Sequence, residues 1–187
     1  MKWLVSAFEP FGGATENSSL QVLEILRLDS ALSKIAFADP LPVTFKDAWP
    51  SLKRQAEAHG ADAVIALGQA EGRAKIALEM LALNIDHAAI PDNRGEQPKQ
   101  KKIAAGPDVL WTSLPFGELE GERGLSLSFS AGTFVCNHLY FHLLEWCRAH
   151  DNVGGFIHIP AFKTQTEKIE AAASVKHALF FLQEKYP

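Results

Sequence analysis

Three apolar segments without a polar face constrain the fold of this 187-residue chain most strongly. They are residues 2–8 (KWLVSAF), 61–68 (ADAVIALG) and 154–160 (GGFIHIP), and a glycine or proline turn ends or follows each. Strands that are apolar on both faces are typical of a parallel sheet that helices cover on both sides. Segments with helical spacing lie between these strands, so the sequence predicts a single three-layer α/β/α domain over residues 1–187. Its central sheet is expected to be mostly parallel and twisted.

The remaining elements follow from periodicity and from glycine and proline breaks. Helices are predicted over residues 19–28, 46–58, 136–150 and 166–186. Short strands are predicted within 35–45, 111–116 and 125–130, and residues 88–110 resemble a loop with a solvated lysine run. Residues 73–83 fit a helix as well as a strand.

The two cysteines, Cys136 and Cys147, lie eleven residues apart. On one helix they would be about 16 Å apart, which is too far for a disulfide, so both thiols should be free in a reducing compartment.

The N-terminus lacks the pattern of a signal peptide, and no apolar stretch reaches the length of a membrane span. With a net charge of −4, nucleic acid is not an expected partner. We therefore expect a cytoplasmic protein without a membrane or nucleic-acid partner.

Cys136 stands at the predicted start of a helix, in AGTFVCNH. Unpaired N–H groups and the helix dipole favour a thiolate there, so the position predicts a lowered thiol pKa. The same N–H groups can hold an oxyanion, which makes Cys136 a candidate nucleophile. The alternative is a buried cysteine that packs as a small apolar residue.

His158 and Glu79 are the candidate partners of that thiol. His158 interrupts an apolar strand close to its carboxyl end, where ligand sites of open α/β sheets cluster. The alternative is a histidine satisfied within the core. Glu79 lies among apolar residues, where a charge needs a partner, and orienting a histidine would provide one. The alternative is the exposed face of an amphipathic helix.

Metal and nucleotide sites find less support. His138 and His142 share the i, i+4 spacing of zinc ligands, but the glutamate of H-E-x-x-H is missing, and a third ligand is evident only if Cys136 or Glu145 serves. The stretch GQAEGR matches neither G-x-G-x-x-G nor a P-loop. We therefore expect no cofactor and no metal.

Five motifs, FEPFGG, GQAEGR, IPDNRGEQP, AGTFVCNH and FIHIP, resemble in order and spacing the pyroglutamyl peptidases of type I, also called pyrrolidone-carboxylate peptidases. These cysteine peptidases remove an N-terminal pyroglutamyl residue. The resemblance runs from about residue 3 to residue 165. It implies that Cys136 is the nucleophile, His158 the base and Glu79 the acid that orients the histidine.

The same resemblance implies a substrate pocket and an assembly. Phe8, Phe11 and Phe134 match the phenylalanines around the lactam ring, and Asn17 and Gln69 match the polar residues near it. From the residues alone, Phe8 and Phe11 could equally be core residues. Family members form dimers or tetramers, which implies a homodimer or homotetramer, with N-terminally pyroglutamylated peptides as substrates.

The sequence also departs from the family pattern. Ala89 replaces an arginine of the family, and Met80 stands where the family usually has an arginine directly after the residue that corresponds to Glu79. After the FIHIP segment, residues 161–165 (AFKTQ) differ from the usual family sequence, although Gln165 is retained. The leading hypothesis is a cysteine exopeptidase that acts through a thioester. A second is a divergent member that binds a lactam-like ligand with weak or altered amidase activity. A third is a metal-dependent hydrolase that uses Cys136, His138 and His142.

Overall fold

The computed structural model describes all residues from 1 to 187. The four α-helices are α1 (Ser18–Arg27), α2 (Ala48–His59), α3 (Val135–His150) and α4 (Gln165–Lys185). The eight strands are β1 (Trp3–Ala7), β2 (Ile35–Phe37), β3 (Ala63–Ala70), β4 (Ile76–Glu79), β5 (Leu81–Leu83), β6 (Val109–Trp111), β7 (Leu125–Ser128) and β8 (Val153–Pro160). None of the helices is long and apolar enough to cross a membrane.

Six strands form the central sheet in the order β2-β1-β3-β8-β4-β7. All neighbours are parallel except β4 and β8, which run antiparallel. The prediction of a mostly parallel sheet is therefore confirmed. Strands β5 and β6 form a separate antiparallel pair.

Helices cover both faces of the central sheet, as the apolar strands predicted. On one face, α1 and α4 contribute apolar side chains such as Leu23 and Val175 to a core of 26 buried residues. On the other, α2 and α3 contribute residues such as Leu52 and Leu139 to a second core of 25 residues. Because both faces are covered, β3 and β8 are almost entirely apolar, and His158 stands out as a polar exception.

Local signals explain where the helices begin and end. Asn17 caps α1 by accepting a hydrogen bond from the Ser19 N–H through its side chain, which satisfies one of the free N–H groups at a helix start. Gly60 ends α2 in a left-handed conformation with φ of 65°, which glycine adopts without steric cost.

Two predicted segments differ from the structure. Residues 73–83, which fitted a helix or a strand, contain β4 and β5 instead of a helix. Of residues 111–116, only Trp111 belongs to a strand. This strand, β6, already begins at Val109, within the predicted loop. Pro115 precedes a short 3-10 turn at Phe116–Leu119. Directly after the strand, the Leu114 N–H donates to Thr112 Oγ1, a local turn that competes with further strand pairing.

Candidate active site

A buried histidine–carboxylate pair lies between two strands of the central sheet. Glu79 pairs with Phe156 across β4 and β8, so its side chain is on the same sheet face as His158, two residues further along β8. His158 Nδ1 lies 2.7 Å from Glu79 Oε1. Glu79 is fully buried and His158 is 4% exposed. Because a carboxylate can only accept, Nδ1–H is the donor, which leaves Nε2 unprotonated in the neutral ring.

Cys136 approaches the same sheet face from α3. It occupies the second position of that helix, so the predicted place at a helix start is confirmed. Its Sγ lies 2.9 Å from the point where a side-chain carbon on Gly68 would stand. Gly68 is the β3 partner of His158 in the sheet register. Cys136 and His158 both line one cavity of about 250 Å³.

Position 68 requires glycine because there is no room for a side chain, whereas its backbone conformation is one that other residues can adopt. An added methyl group there would lie 2.7 Å from Phe156 Cζ and 2.9 Å from Cys136 Sγ. Both distances are shorter than ordinary contacts, so one side chain must move. We expect Gly68→Ala to lower kcat by about 100-fold, since a displacement of about 1 Å at a reacting group has that effect.

Steady-state kinetics of Gly68→Ala with a pyroglutamyl amide, the substrate class that the family resemblance implies, checks this expectation, with circular dichroism to confirm folding. Gly13→Ala is a control of the same chemical type, because a methyl group added there would meet no atom within 4 Å, although its φ of 81° adds strain. Unchanged kcat in a folded Gly68→Ala variant would show that Cys136 does not need its present position.

The pKa of Cys136 differs from the sequence-based expectation. Burial raises the pKa of this thiol to about 12, the charge of Glu79 adds to the increase, and its own backbone N–H acts in the opposite direction. A helix N-terminus typically contributes about 0.3–1 kcal/mol, or less than about one pKa unit, which is smaller than the effect of burial. The prediction of a lowered pKa was therefore wrong, and the resting thiol is neutral at pH 7.

Thiol alkylation should follow this pKa. We expect the rate at which iodoacetamide modifies Cys136 to increase about tenfold per pH unit between about pH 8 and 10, because the thiolate fraction rises in that proportion below the pKa. Intact-mass spectrometry on the Cys147→Ala variant measures Cys136 alone. A rate that is already constant between about pH 6 and 8 would instead indicate a preformed thiolate.

The start of α3 offers unpaired hydrogen-bond donors beside the thiol. The cap residue, Phe134, makes no side-chain cap bond, and its carbonyl accepts the first hydrogen bond, from His138 N–H. The backbone N–H groups of Val135, Cys136 and Asn137 consequently have no oxygen acceptor within the chain. Such groups at a helix N-terminus can stabilise an oxygen anion.

Aromatic side chains form much of the cavity wall. Phe8, Phe11 and Phe134 line the cavity, as do the other two predicted substrate-binding residues, Asn17 and Gln69. The Phe11 and Phe134 rings lie 6.2 Å apart. Phe8 is also buried in the core, so the pocket and core interpretations of this residue both hold. The structure thus brings all five predicted residues to one cavity with Cys136 and His158.

Asn17 and Gln69 make different hydrogen bonds at this cavity. Asn17 Oδ1 accepts from the N–H and Oγ–H of Ser19, and its Nδ2 donates to the Glu9 carbonyl. Asn17 therefore ties the turn after β1 to α1. Gln69 Oε1 accepts from the Ser18 N–H at 2.7 Å, which fixes the amide, while Nε2 has no acceptor within the chain and remains available as a donor.

Arg73 is a site residue that the sequence analysis missed. Its Nη2 lies 3.0 Å from Glu79 Oε1, the same oxygen that accepts from His158, and donates to the Ser130 carbonyl at 2.8 Å. Arg73 is 31% exposed at its side chain and also lines the cavity. Its motif, GQAEGR, contributed to the family resemblance, but only Gln69 was selected from it as a site residue. An arginine six residues before a buried carboxylate was the available signal.

Tyr140 is a second missed residue. It lies one helical turn after Cys136 and donates from its hydroxyl group to the Glu79 carbonyl at 2.7 Å. The i, i+4 spacing places both side chains on one face of α3. Helix α3 therefore carries the Cys136 thiol and also donates a hydrogen bond to the main chain of Glu79.

The positions that depart from the family pattern lie outside the cavity wall. Ala89 is exposed, and its carbonyl accepts from Gln97 Nε2 at 2.9 Å. Met80 is partly buried and packs against the core on the α1 and α4 face. Neither residue belongs to the cavity lining.

The histidine pair of α3 has its own partners. His138 Nδ1 lies 2.9 Å from Asp86 Oδ2, and His142 Nδ1 lies 3.1 Å from Glu145 Oε2. Burial and the neighbouring His138 lower the pKa of His142. No three histidine, cysteine or carboxylate side chains are arranged so that they could hold a metal ion, so the geometry does not bring the Cys136–His138–His142 set together as ligands.

Comparison with known proteins connects this arrangement to one family. A family model described as pyroglutamyl peptidase matches residues 1–179. The pyrrolidone-carboxylate peptidase of Bacillus licheniformis is 42% identical over 184 residues, which cover 94% of this chain and 86% of that protein. The pyrrolidone-carboxylate peptidase of Erwinia tasmaniensis is 38% identical over 187 residues, covering 97% and 88%.

Solved structures agree with the sequence comparisons. Pyroglutamyl peptidase I of Bacillus amyloliquefaciens superimposes with a TM-score of 0.86 at 34% identity and covers 94% of this chain and 93% of that chain. Pyrrolidone carboxyl peptidase from Thermococcus litoralis gives a TM-score of 0.86 at 30% identity, with coverage of 99% and 96%. The chain therefore belongs to the pyroglutamyl peptidase family of cysteine-type peptidases.

Proposed function

We propose that this chain, acting as one domain over residues 1–187, hydrolyses the amide bond after an N-terminal pyroglutamyl residue through a thioester. The observation that carries the proposal is the buried His158–Glu79 pair at 2.7 Å. Its histidine shares a cavity with Cys136 and with aromatic side chains. Cys136 is the proposed nucleophile, His158 the base and Glu79 the group that orients the histidine.

In the first half of the reaction, Cys136 Sγ attacks the carbonyl carbon of the pyroglutamyl residue. His158 Nε2 takes the thiol proton as the S–C bond forms, because a neutral thiol with a pKa of about 12 needs a base. The carbonyl oxygen becomes an anion beside the free N–H groups at the start of α3. Collapse breaks the C–N bond, and His158 Nε2 returns the proton to the leaving amine.

In the second half, water attacks the thioester carbon. His158 Nε2 takes a proton from this water, and the same N–H groups receive the second oxygen anion. The C–S bond breaks, the sulfur regains its proton from His158, and pyroglutamate leaves. Throughout, the Glu79 carboxylate accepts from Nδ1–H and stabilises the imidazolium that forms in each half.

The proposed lactam pocket matches the chemistry of a pyroglutamyl ring. At about 250 Å³, it is smaller than the usual range for drug-sized ligands, about 300–1,000 Å³. Phe8, Phe11 and Phe134 would contact the ring faces, and Gln69 Nε2 is a free donor for the lactam carbonyl. Since the lactam has no charged amine, an apolar pocket disfavours ordinary N-termini through the cost of desolvating their charge.

Arg73 is proposed to stabilise the ionised carboxylate of Glu79. It supplies a cation beside a fully buried carboxylate in a chain that lacks arginine at positions 80 and 89. Removing one partner of a buried pair costs about 3–5 kcal/mol, and we expect about 2 kcal/mol here because Arg73 is a third exposed. Arg73→Gln should therefore lower kcat about 30-fold, and Arg73→Lys should recover part of the loss.

The Arg73 expectation is measured by kcat and KM for both variants with a pyroglutamyl amide. The matched control is Arg54→Gln, which changes an exposed arginine without an ion pair on α2. Equal losses in the glutamine and lysine variants, or a change confined to KM, would contradict a role for this charge beside Glu79.

The proposed function is tested by release of a fluorescent amine from its pyroglutamyl amide, with the corresponding prolyl and glutamyl amides as controls. Turnover of the pyroglutamyl amide alone supports the proposal. Pyroglutamate binding without turnover by folded protein would overturn it and support the second hypothesis, a divergent binder. In that case, restoration of activity by Ala89→Arg would identify the missing arginine as the cause.

The proposed setting of this activity is the cytoplasm. Cys136 and Cys147 are both free thiols, which fits a reducing compartment. Assembly into a homodimer or homotetramer is proposed from the family resemblance, and light scattering of the purified chain measures it.

A further inference from the structure

A second and larger cavity, of about 610 Å³, adjoins the lactam pocket. Charged side chains dominate its wall: Arg73, Lys75, Arg123, Lys163, Glu167 and Glu170. We call this cavity the basic groove. The proposed hydrolysis makes no use of it apart from Arg73, and a cavity of this size next to a peptidase site can hold several residues of a peptide.

The basic groove carries an excess of unpaired positive charge in a chain whose net charge is −4. Lys75, Arg123 and Lys163 have no carboxylate within ion-pair distance of their side-chain nitrogens. Glu167 is engaged, because its Oε2 accepts from the N–H groups of Lys163 and Thr164 at the start of α4. Apart from Arg73, whose partner is Glu79, three cations therefore share the groove with two carboxylates, Glu167 and Glu170, which leaves a net charge of +1.

Arg123, which lines this groove, has a strained backbone conformation. Its φ is 45° and its ψ 38°, a left-handed conformation that residues other than glycine rarely adopt. The hydroxyl of the buried Ser174 donates to the Arg123 carbonyl at 2.7 Å. Strain that the surrounding structure maintains is concentrated at functional sites, which supports a role for this arginine.

The basic groove continues from the proposed catalytic residues. Arg73 lines both cavities. Strand β8 passes from His158 in the lactam pocket to Pro160 in the groove, and Ala161 to Lys163 follow along its wall. Since His158 would deliver a proton to the leaving amine, the leaving peptide is on the His158 side of the scissile bond, where the groove begins.

We infer that the basic groove binds the peptide segment that follows the scissile bond and favours substrates with acidic residues there. This inference rests on the proposed function and adds a substrate class to it. Lys75, Arg123 and Lys163 attract carboxylates at the second and third positions after the pyroglutamyl residue. Because these cations are exposed, the preference should weaken as salt screens them.

The experiment compares three peptide amides of the same length, pyroglutamyl-alanyl-diglutamate, -diglutamine and -dilysine, with the small fluorescent pyroglutamyl amide as reference. At low ionic strength we expect kcat/KM for the acidic peptide to exceed that for the neutral peptide about tenfold, the product of several exposed charge pairs of a few-fold each. The dilysine peptide should be the poorest substrate. The difference should fall to about twofold in about 0.5 M salt.

The decisive variant combines Lys75→Gln, Arg123→Gln and Lys163→Gln. It should lose the acidic preference and retain turnover of the small amide. The matched control, Lys34→Gln with Lys46→Gln and Arg54→Gln, removes the same charges from exposed, unpaired positions outside the groove and should keep the preference. If the strained position 123 prevents folding, Lys75→Gln with Lys163→Gln replaces the triple variant and should lose most of the preference.

The outcomes separate the inference from the proposed function. Turnover of the small amide, together with equal rates for acidic and neutral peptides, would overturn the inference and leave the proposed function standing. An acidic preference that persists in the groove variant, or disappears equally in the control, would also overturn it. Absence of small-amide turnover in the wild-type chain would overturn the proposed function and the inference with it.

Discussion

Replacement of Cys136 by alanine is expected to abolish turnover of a pyroglutamyl amide, with a loss in kcat of at least about 10⁴-fold. Loss of the nucleophile from a serine or cysteine hydrolase has an effect of this size, because the remaining groups supply only binding and oxyanion stabilisation. Fluorescent-amine release under reducing conditions measures the loss. Pyroglutamate binding by calorimetry should be retained, since the aromatic wall of the pocket is unchanged.

Cys147→Ala is the matched control for this prediction. Cys147 lies on the same helix, is buried, and packs its Sγ against Gly154 on β8. It lies outside the lactam pocket, so kcat should stay within about twofold while the free energy of unfolding falls by about 1 kcal/mol for the lost packing. Turnover by Cys136→Ala above about 1% of wild type, in a folded preparation, would remove Cys136 as the nucleophile.

Glu79→Gln is expected to lower kcat by about 10³–10⁴-fold and to leave KM within about threefold. The amide keeps the shape of the carboxylate but can donate to His158 Nδ1, which would move the ring proton to Nε2 and prevent that atom from accepting the thiol proton. KM should change little because Glu79 does not line the lactam pocket. Steady-state kinetics with the pyroglutamyl amide checks both values.

Thiol alkylation provides a second readout for Glu79. The charge of Glu79 raises the pKa of Cys136, so its removal should leave the alkylation rate equal to or above that of the wild type while kcat collapses. Glu57→Gln, at an exposed i, i+4 pair with Lys53 on α2, is the control and should change neither quantity. A parallel fall in alkylation and kcat would show that Glu79 sustains a preformed thiolate–imidazolium pair.

Much of the fold could be predicted because its signals are local. Strands β1, β3 and β8 are continuous apolar segments, and α3 follows from the periodicity after Phe134. Cys136 and His158 could be selected as candidates for the same reason, since a helix start and a strand end can be located from neighbouring residues. The family resemblance then supplied the proposed roles.

The strand pairing around Glu79 could not be predicted in the same way. Residues 73–83 contain β4 and β5, two short strands whose apolar spacing also fits a helix. Their structure depends on partners far along the chain, because β4 pairs with β7 and β8. Glu79 and His158 are 79 residues apart, and only the antiparallel register of β4 against β8 places both side chains on one sheet face.

The sequence by itself determined the layered α/β architecture, the helix start that holds Cys136 and the strand that holds His158, because each depends on contiguous residues. Only the tertiary structure decided the raised pKa of Cys136, the Arg73–Glu79 ion pair and the basic groove beside the lactam pocket. Burial and the approach of charges are properties of segments distant in sequence, so the helix dipole expected to lower the pKa of Cys136 is outweighed by the desolvation of the thiol and by the charge of Glu79.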